Sequence, residues 1–280
     1  MEFVPDYKKA REQNEEPSDI AVFETYSPAY VVTNENLRQL PQLMPKKHEN
    51  VLTVVGSGDH PLWFSLYGAK HVDTFDISYN AKILMDIKVI ALNCLSRNDY
   101  NRLLDDFYEI NRSPFKAISS IKNMNKILPK LPEVESEYIK KIESAKIFRI
   151  NWKPLKSTSL PNFLEYIKLR IQIKKPYNFY MTDIRNLSNF LTTSYDVIHL
   201  SNILDYVPRS KHKAIILPLL NHINPGGRII AHTMIINPPT SCFKTISNSL
   251  DKWKYIQKPV YIPLFDSIIS KGTHILERIR

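Results

Sequence analysis

Several common signatures are missing from this 280-residue chain. It has two cysteines, Cys94 and Cys242. They lie far apart in sequence, so neither a disulfide framework nor a zinc cluster is expected. No group of His, Cys or Asp has metal-ligand spacing, and no metal is expected on that ground. No apolar run approaches the length of a membrane span. The N-terminal stretch MEFVPDYKKAREQNEEPSD is polar and carries acids, unlike a secretion signal. Internal repeats and low-complexity tracts are absent too. These absences fit a reduced, cytoplasmic setting. Hydrophobic residues make up 43% of the chain, ample for a core.

The informative stretch is Val51 to Ser78, VLTVVGSGDHPLWFSLYGAKHVDTFDIS. An apolar run meets Gly56-Ser57-Gly58-Asp59. A short amphipathic segment follows, then a second apolar run that ends at Asp76. Strand, glycine turn, helix, strand and acid form half of a nucleotide-binding unit. A turn without Cβ atoms lets backbone N–H groups approach a ligand, and a strand-end acid can hold two ribose hydroxyls. The dinucleotide fingerprint G-x-G-x-x-G is incomplete, because its third glycine is missing. Pyrophosphate also favours a helix N-terminus without carboxylates, and Asp59 sits there. An acid in that turn suits a ligand with a positive end. S-adenosylmethionine (SAM) has an ammonium, a sulfonium and a ribose, so it is the expected co-substrate.

The formal charge of +10 is unevenly spread. Residues 101–178 hold 16 Lys+Arg against 8 Asp+Glu. The same stretch separates Asp76 from the next strand candidate, Tyr177 to Asp183, where a minimal crossover is far shorter. Helical spacing in Tyr100-Leu103-Leu104-Phe107-Tyr108 and punctuation by prolines predict a helical, basic insertion over about 100–176. Its lysines suit a solvated cap, an acidic acceptor or an anionic membrane surface. Residues 1–49 read as an N-terminal helical segment, and 50–280 as the ligand-binding domain carrying the insertion.

Further strands are expected at Ser194–Leu200, at Arg228–Ile235 after an Asn224-Pro225-Gly226-Gly227 turn, near Tyr255, and at Thr273–Ile279. Helices are expected at His212–Leu220 and Ser241–Leu250. The alternation predicts an α/β fold: a doubly wound, Rossmann-like, seven-stranded sheet of the class I SAM-methyltransferase type. The order of signals over about 50–280 resembles that class. The resemblance implies that Asp183 accepts from the adenine amino group and that Ile184 offers a backbone N–H. The residues alone also allow Asp183 to cap the next helix.

A narrower resemblance is to the DUF3419 family. It rests on Ser57-Gly58-Asp59, Asp76-Ile77-Ser78-Tyr79-Asn80, Ile87-Lys88-Val89-Ile90-Ala91-Leu92, Leu200-Ser201-Asn202-Ile203-Leu204-Asp205-Tyr206 and Tyr30 to Leu37. That family includes the betaine-lipid enzyme that moves the 3-amino-3-carboxypropyl group of SAM onto diacylglycerol. The resemblance implies cofactor binding by Gly56, Ser57, Gly58, Asp59, Asp76, Ile77, Ser201, Asn202 and Tyr30. It implies transfer of the aminocarboxypropyl group to a nucleophilic acceptor, with methylthioadenosine released; a small-molecule or lipid acceptor is the expected partner, though the insertion shows no acceptor-site motif of that family. Asp205 is the candidate base and Tyr206 its orienting partner. Asp205 also suits an exposed acid in a first helical turn. Methyl transfer to a small molecule or lipid is the alternative, and a non-catalytic SAM-fold subunit the third. Nucleic acid is a less favoured partner, because Ser201-Asn202-Ile203-Leu204 lacks the Asn/Asp-Pro-Pro-aromatic motif of amino-methylating enzymes. Asn237-Pro238-Pro239 falls after the fifth strand and reads as a turn. Peripheral contact with an anionic membrane through the insertion is an expectation; oligomeric state is not readable.

Overall fold

The structure is a computed structural model, and it describes residues 31–33, 35–110, 118–145, 160–173, 177–233, 238–258 and 272–279. These fall into two compact units, within Met1–Asn34, Val55–Leu62 and Ile77–Tyr177 for the first, and Glu35–Val54, Trp63–Asp76 and Asn178–Arg280 for the second.

The second unit holds the whole sheet. Its strands are β1 (Asn50–Val54), β2 (His71–Asp76), β3 (Asn178–Met181), β4 (Tyr195–His199), β5 (Ile223–Thr233), β6 (Trp253–Lys258) and β7 (Gly272–Arg278). The spatial order is β3-β2-β1-β4-β5-β7-β6. Strands β1 to β5 are parallel, and β7 runs antiparallel between β5 and β6. Strands β1 and β4 are nearly continuous apolar runs because both of their faces are buried, as parallel strands require. The core gathers Leu52, Val54, Phe75, Ile198, Leu200, Ile229 and Leu276 from the sheet with Ile216, Leu219, Phe243 and Ile246 from helices. The Asp196 carboxylate fixes the start of β1 by accepting from the backbone of Glu49 at 2.9 Å and Asn50 at 3.1 Å. Those two N–H groups lie outside the ladder and need a partner.

One expectation is corrected here. Asn224-Pro225-Gly226-Gly227 is not a turn ahead of the fifth strand but an irregularity inside it. Pairing jumps from Tyr195↔Ile223 to Val197↔Arg228. Gly226 has φ +79°. A Cβ on Gly227 would meet the Asp196 carbonyl at 2.9 Å. The bulge therefore needs both glycines.

Seven helices of at least eight residues accompany the strands among the described residues. They are α1 (Asp59–Leu66), α2 (Tyr79–Cys94), α3 (Arg97–Ile110), α4 (Glu133–Ala145), α5 (Phe163–Gln172), α6 (Arg209–Leu219) and α7 (Thr240–Ser249). Helix α2 is the spine of the first unit. It buries Ile83, Leu84, Met85, Ile87, Val89, Ile90, Ala91 and Leu92, apolar almost all round, as a helix enclosed on every side must be. Between β2 and β3 the described residues hold helices α2 to α5, with short helical turns over 118–130. Helix α5 begins with a capping box, in which Asn162 and Glu165 exchange side-chain and backbone hydrogen bonds. Its inner face, Tyr166 and Leu169, packs under α2, with the Tyr166 hydroxyl donating to the Leu95 carbonyl at 3.1 Å. Among the described residues no helix is long and apolar enough to cross a membrane.

Candidate functional site

The glycine turn follows β1 and opens α1. Gly56 and Gly58 both have positive φ, +55° and +83°. Gly58 is needed twice over, since a Cβ there would sit 2.8 Å from the Met85 Cα on α2. Its backbone N–H donates to Val55 at 2.8 Å and closes the turn.

The Asp59 carboxylate is fully engaged from within. One oxygen accepts from the Ser57 hydroxyl at 2.8 Å and the Thr33 backbone N–H at 2.7 Å. The other takes the Lys88 ammonium at 2.6 Å. Lys88 is 0% exposed. Burial pulls its pKa down and the Asp59 charge opposes that fall. Asp59 was expected to meet the positive end of a ligand. In the structure its charge is neutralised by an internal ammonium, and it holds the turn in shape.

Asp76 ends β2, half-buried, with its carbonyl accepting from the Thr182 N–H at 3.0 Å. This is the strand-tip position expected for a ribose acid. Ile77 follows, and then the first turn of α2. There Asn80 is 0% exposed, and neither its side-chain oxygen nor its nitrogen has a hydrogen-bond partner among the described residues. A buried amide left with both ends open is costly and calls for a ligand or water. Asn80 was visible in the Asp76-to-Asn80 motif but was not singled out as a ligand residue.

Deeper on α2, Lys82 donates to Asp86 at 2.6 Å and to Glu135 of α4. Two buried carboxylates share one ammonium. Burial, and then the Asp86 charge, push Glu135 up to about 8. Burial alone would lower Lys82, but the two carboxylates reverse this and raise it overall.

Asp183 lies two residues beyond β3 rather than at its end. Its carboxylate accepts from the Arg185 backbone N–H at 2.8 Å and from the Arg185 guanidinium at 2.9 Å. Its fixed partners are thus local, but it does not cap the next helical turn, Leu187–Asn189, whose N-cap is Asn186. Ile184 is buried in the core.

The loop after β4 begins at Ser201, whose φ of +50° is unusual for a residue with a Cβ. Ser201 donates to Glu35, and more weakly to Asn202 at 3.3 Å. The Asn202 amide faces the Tyr206 hydroxyl at 3.5 Å. Asp205 sits in a short 3₁₀ turn, Ile203–Tyr206, and is buried rather than exposed as a simple helix-end acid would be. Tyr30 lies outside the described residues.

Strand order 3-2-1-4-5-7-6, an antiparallel seventh strand, a glycine turn after β1 and an acid ending β2 define a Rossmann-like fold of the class I SAM-methyltransferase type. Solved structures that resemble this chain include the glycopeptide N-methyltransferase MtfA complexed with SAM. It shows 9% identity over 88% of this chain and 93% of that one, with a TM-score of 0.44. An rRNA methylase from Streptococcus thermophilus shows 8% identity over 87% and 94%, with a TM-score of 0.40. The magnesium protoporphyrin IX methyltransferase ChlM from Synechocystis PCC 6803 shows 13% identity over 87% and 74%, with a TM-score of 0.37. Likenesses with TM-scores this low carry no argument about the chain. No protein-family model matches the chain, and no curated protein does.

Proposed function

We propose that the protein is a SAM-dependent transferase that moves the 3-amino-3-carboxypropyl group to a nucleophilic acceptor and releases methylthioadenosine. The observation that carries the SAM part is the strand-tip acid Asp76 followed, four residues on, by the buried open amide of Asn80. In this reading Asp76 holds the ribose hydroxyls, and Gly56 to Gly58 offer close backbone approach. Asp59 keeps that turn rigid through Lys88 instead of touching the ligand.

The choice of group rests on the likeness of Ser57-Gly58-Asp59 and Ser201-to-Tyr206 to the DUF3419 family. In the transfer an acceptor lone pair attacks the γ-carbon of the aminocarboxypropyl chain. The carbon–sulfur bond breaks, its electron pair stays on sulfur, and the acceptor's proton passes to a base. Asp205 is the candidate for that base, with Tyr206 orienting the acceptor. In-line placement, with reacting atoms ~3–3.5 Å apart, decides which carbon on sulfur reacts. Methyl transfer is the second reading.

A lipid acceptor is favoured by α5. Its outer face leaves Phe163 63% and Leu164 76% exposed, with Ile167 and Ile171 in the same row and Lys168 and Arg170 beside them. Apolar residues flanked by cations suit the interface of an anionic membrane.

The test incubates the protein with SAM and anionic vesicles containing diacylglycerol, or with cell extract, and identifies the nucleoside product by mass. Methylthioadenosine above spontaneous breakdown is expected. S-adenosylhomocysteine alone would make the protein a methyltransferase. Neither product, despite tight SAM binding, would make it a binding subunit.

A further inference from the structure

At the carboxyl edge of the sheet the second unit buries Glu35, His199 and His232 together. His199 ends β4, His232 lies on β5, and Glu35 precedes the first helical turn of the unit. The two imidazole Nε2 atoms are 3.2 Å apart. A Glu35 carboxylate oxygen is 3.4 Å from His232 Nε2 and 3.9 Å from His199 Nε2. The residues are 6%, 0% and 7% exposed, in the order Glu35, His199, His232.

Strand register supplies an outer layer. Thr53 is the β1 partner of His199, and Thr273 is the β7 partner of His232. Each threonine hydroxyl meets the Nδ1 of its histidine, at 3.2 Å for Thr53 and 2.8 Å for Thr273. The Thr53 hydroxyl donates to the Val54 carbonyl, so it accepts from His199 Nδ1–H. That fixes the tautomer and leaves the lone pair of His199 on Nε2, facing the cluster. Phe64 packs edge-on to the His199 ring at 5.3 Å. Ser201, held in its strained conformation, donates to the other Glu35 oxygen.

A buried carboxylate facing two imidazole nitrogens is a donor set that suits a divalent cation. The point equidistant from the three atoms lies about 2.1 Å from each, the bond length of zinc to imidazole nitrogen or carboxylate oxygen. Oriented imidazoles with an outer hydrogen bond on the second ring nitrogen are the usual support of such ligands.

We propose that Glu35, His199 and His232 form a binding site for a divalent first-row transition metal, of which Zn²⁺ is the type. The site uses three protein ligands and leaves further coordination positions for water or a bound oxygen or sulfur nucleophile. It is independent of the SAM reading and goes against the metal-free expectation drawn from sequence spacing.

The test uses chelator-treated protein dialysed against Zn²⁺ or Co²⁺, with bound metal measured by mass spectrometry and the Co²⁺ site by its visible spectrum. One equivalent is expected. His199→Gln and His232→Gln should each abolish stoichiometric binding. Thr273→Val should weaken it by about 10–100-fold. His232→Cys replaces one ligand by another. It should keep the equivalent and add a thiolate-to-Co²⁺ charge-transfer band, which a variant that merely misfolds would not show. A folded parent that takes up no stoichiometric metal overturns the proposal. Equal binding by the parent and both glutamine variants also overturns it.

Discussion

Asp59 and Glu35 are both buried carboxylates, and they are satisfied in different ways. Asp59 has an internal ammonium, Lys88, brought in by α2 at 2.6 Å. Glu35 takes a serine hydroxyl and faces two imidazoles, which are charged only when protonated. The first site is electrostatically closed and acts as scaffold. The second faces groups that can take up a proton or a metal, and is the more chemically responsive.

The comparison is broken most forcefully at Lys88. Lys88→Met leaves Asp59 buried with no counter-charge, and urea denaturation should show a loss of about 3–5 kcal/mol. Adding Asp59→Asn should recover a large part of that loss. Full stability of Lys88→Met would mean that the turn does not depend on the pair. The next effect concerns binding. Asp76→Ala should remove hydrogen bonds from ribose to a charged acceptor, at about 1.5–3 kcal/mol each, and weaken SAM about ten- to a hundredfold for a single bond. Unchanged affinity by calorimetry would remove Asp76 from the site.

A third effect is on pH dependence. Glu135 is raised from 4.5 to about 8, so the folded state holds its proton more tightly than the unfolded chain does. That contribution is complete below 4.5 and fades as pH rises through about 8. Glu135→Gln should therefore lose less thermal stability than the parent between pH 5 and pH 8. Parallel melting curves for the two proteins would show that Lys82 satisfies both carboxylates in their charged forms.

The sheet was legible because its signals are local. Apolar runs, the glycine turn and the strand-end acid at Asp76 all fall within the reach of a single element. Strand edges were read to within a few residues, except where Pro225 and the two glycines marked a bulge that reads in sequence like a turn. The acid at Asp59 was read as facing the positive end of a ligand, and the structure sets the Lys88 ammonium against it. Its neutralising lysine lies 29 positions on and looks like one more surface cation in an amphipathic helix. Lys88 betrays itself only through the apolar neighbours that surround it on α2. The Glu35 cluster was still less visible. Its ligands come from three elements, and Ser201 meets Glu35 across 166 positions. No spacing rule captures a site assembled by parallel strand register.

Strand β6 touches the sheet only through β7, and β7 follows it in the chain. On the ribosome the segment Trp253–Lys258 emerges with no edge to join. Its hydrogen-bonding groups must wait in water until Gly272–Arg278 has been made and has docked against β5. The nascent sheet therefore ends at β5 for a time, with the β5 edge, His232 included, exposed to any other strand. Thr273 comes beside His232 only with β7, so the outer layer of the histidine cluster is completed only when that strand has docked.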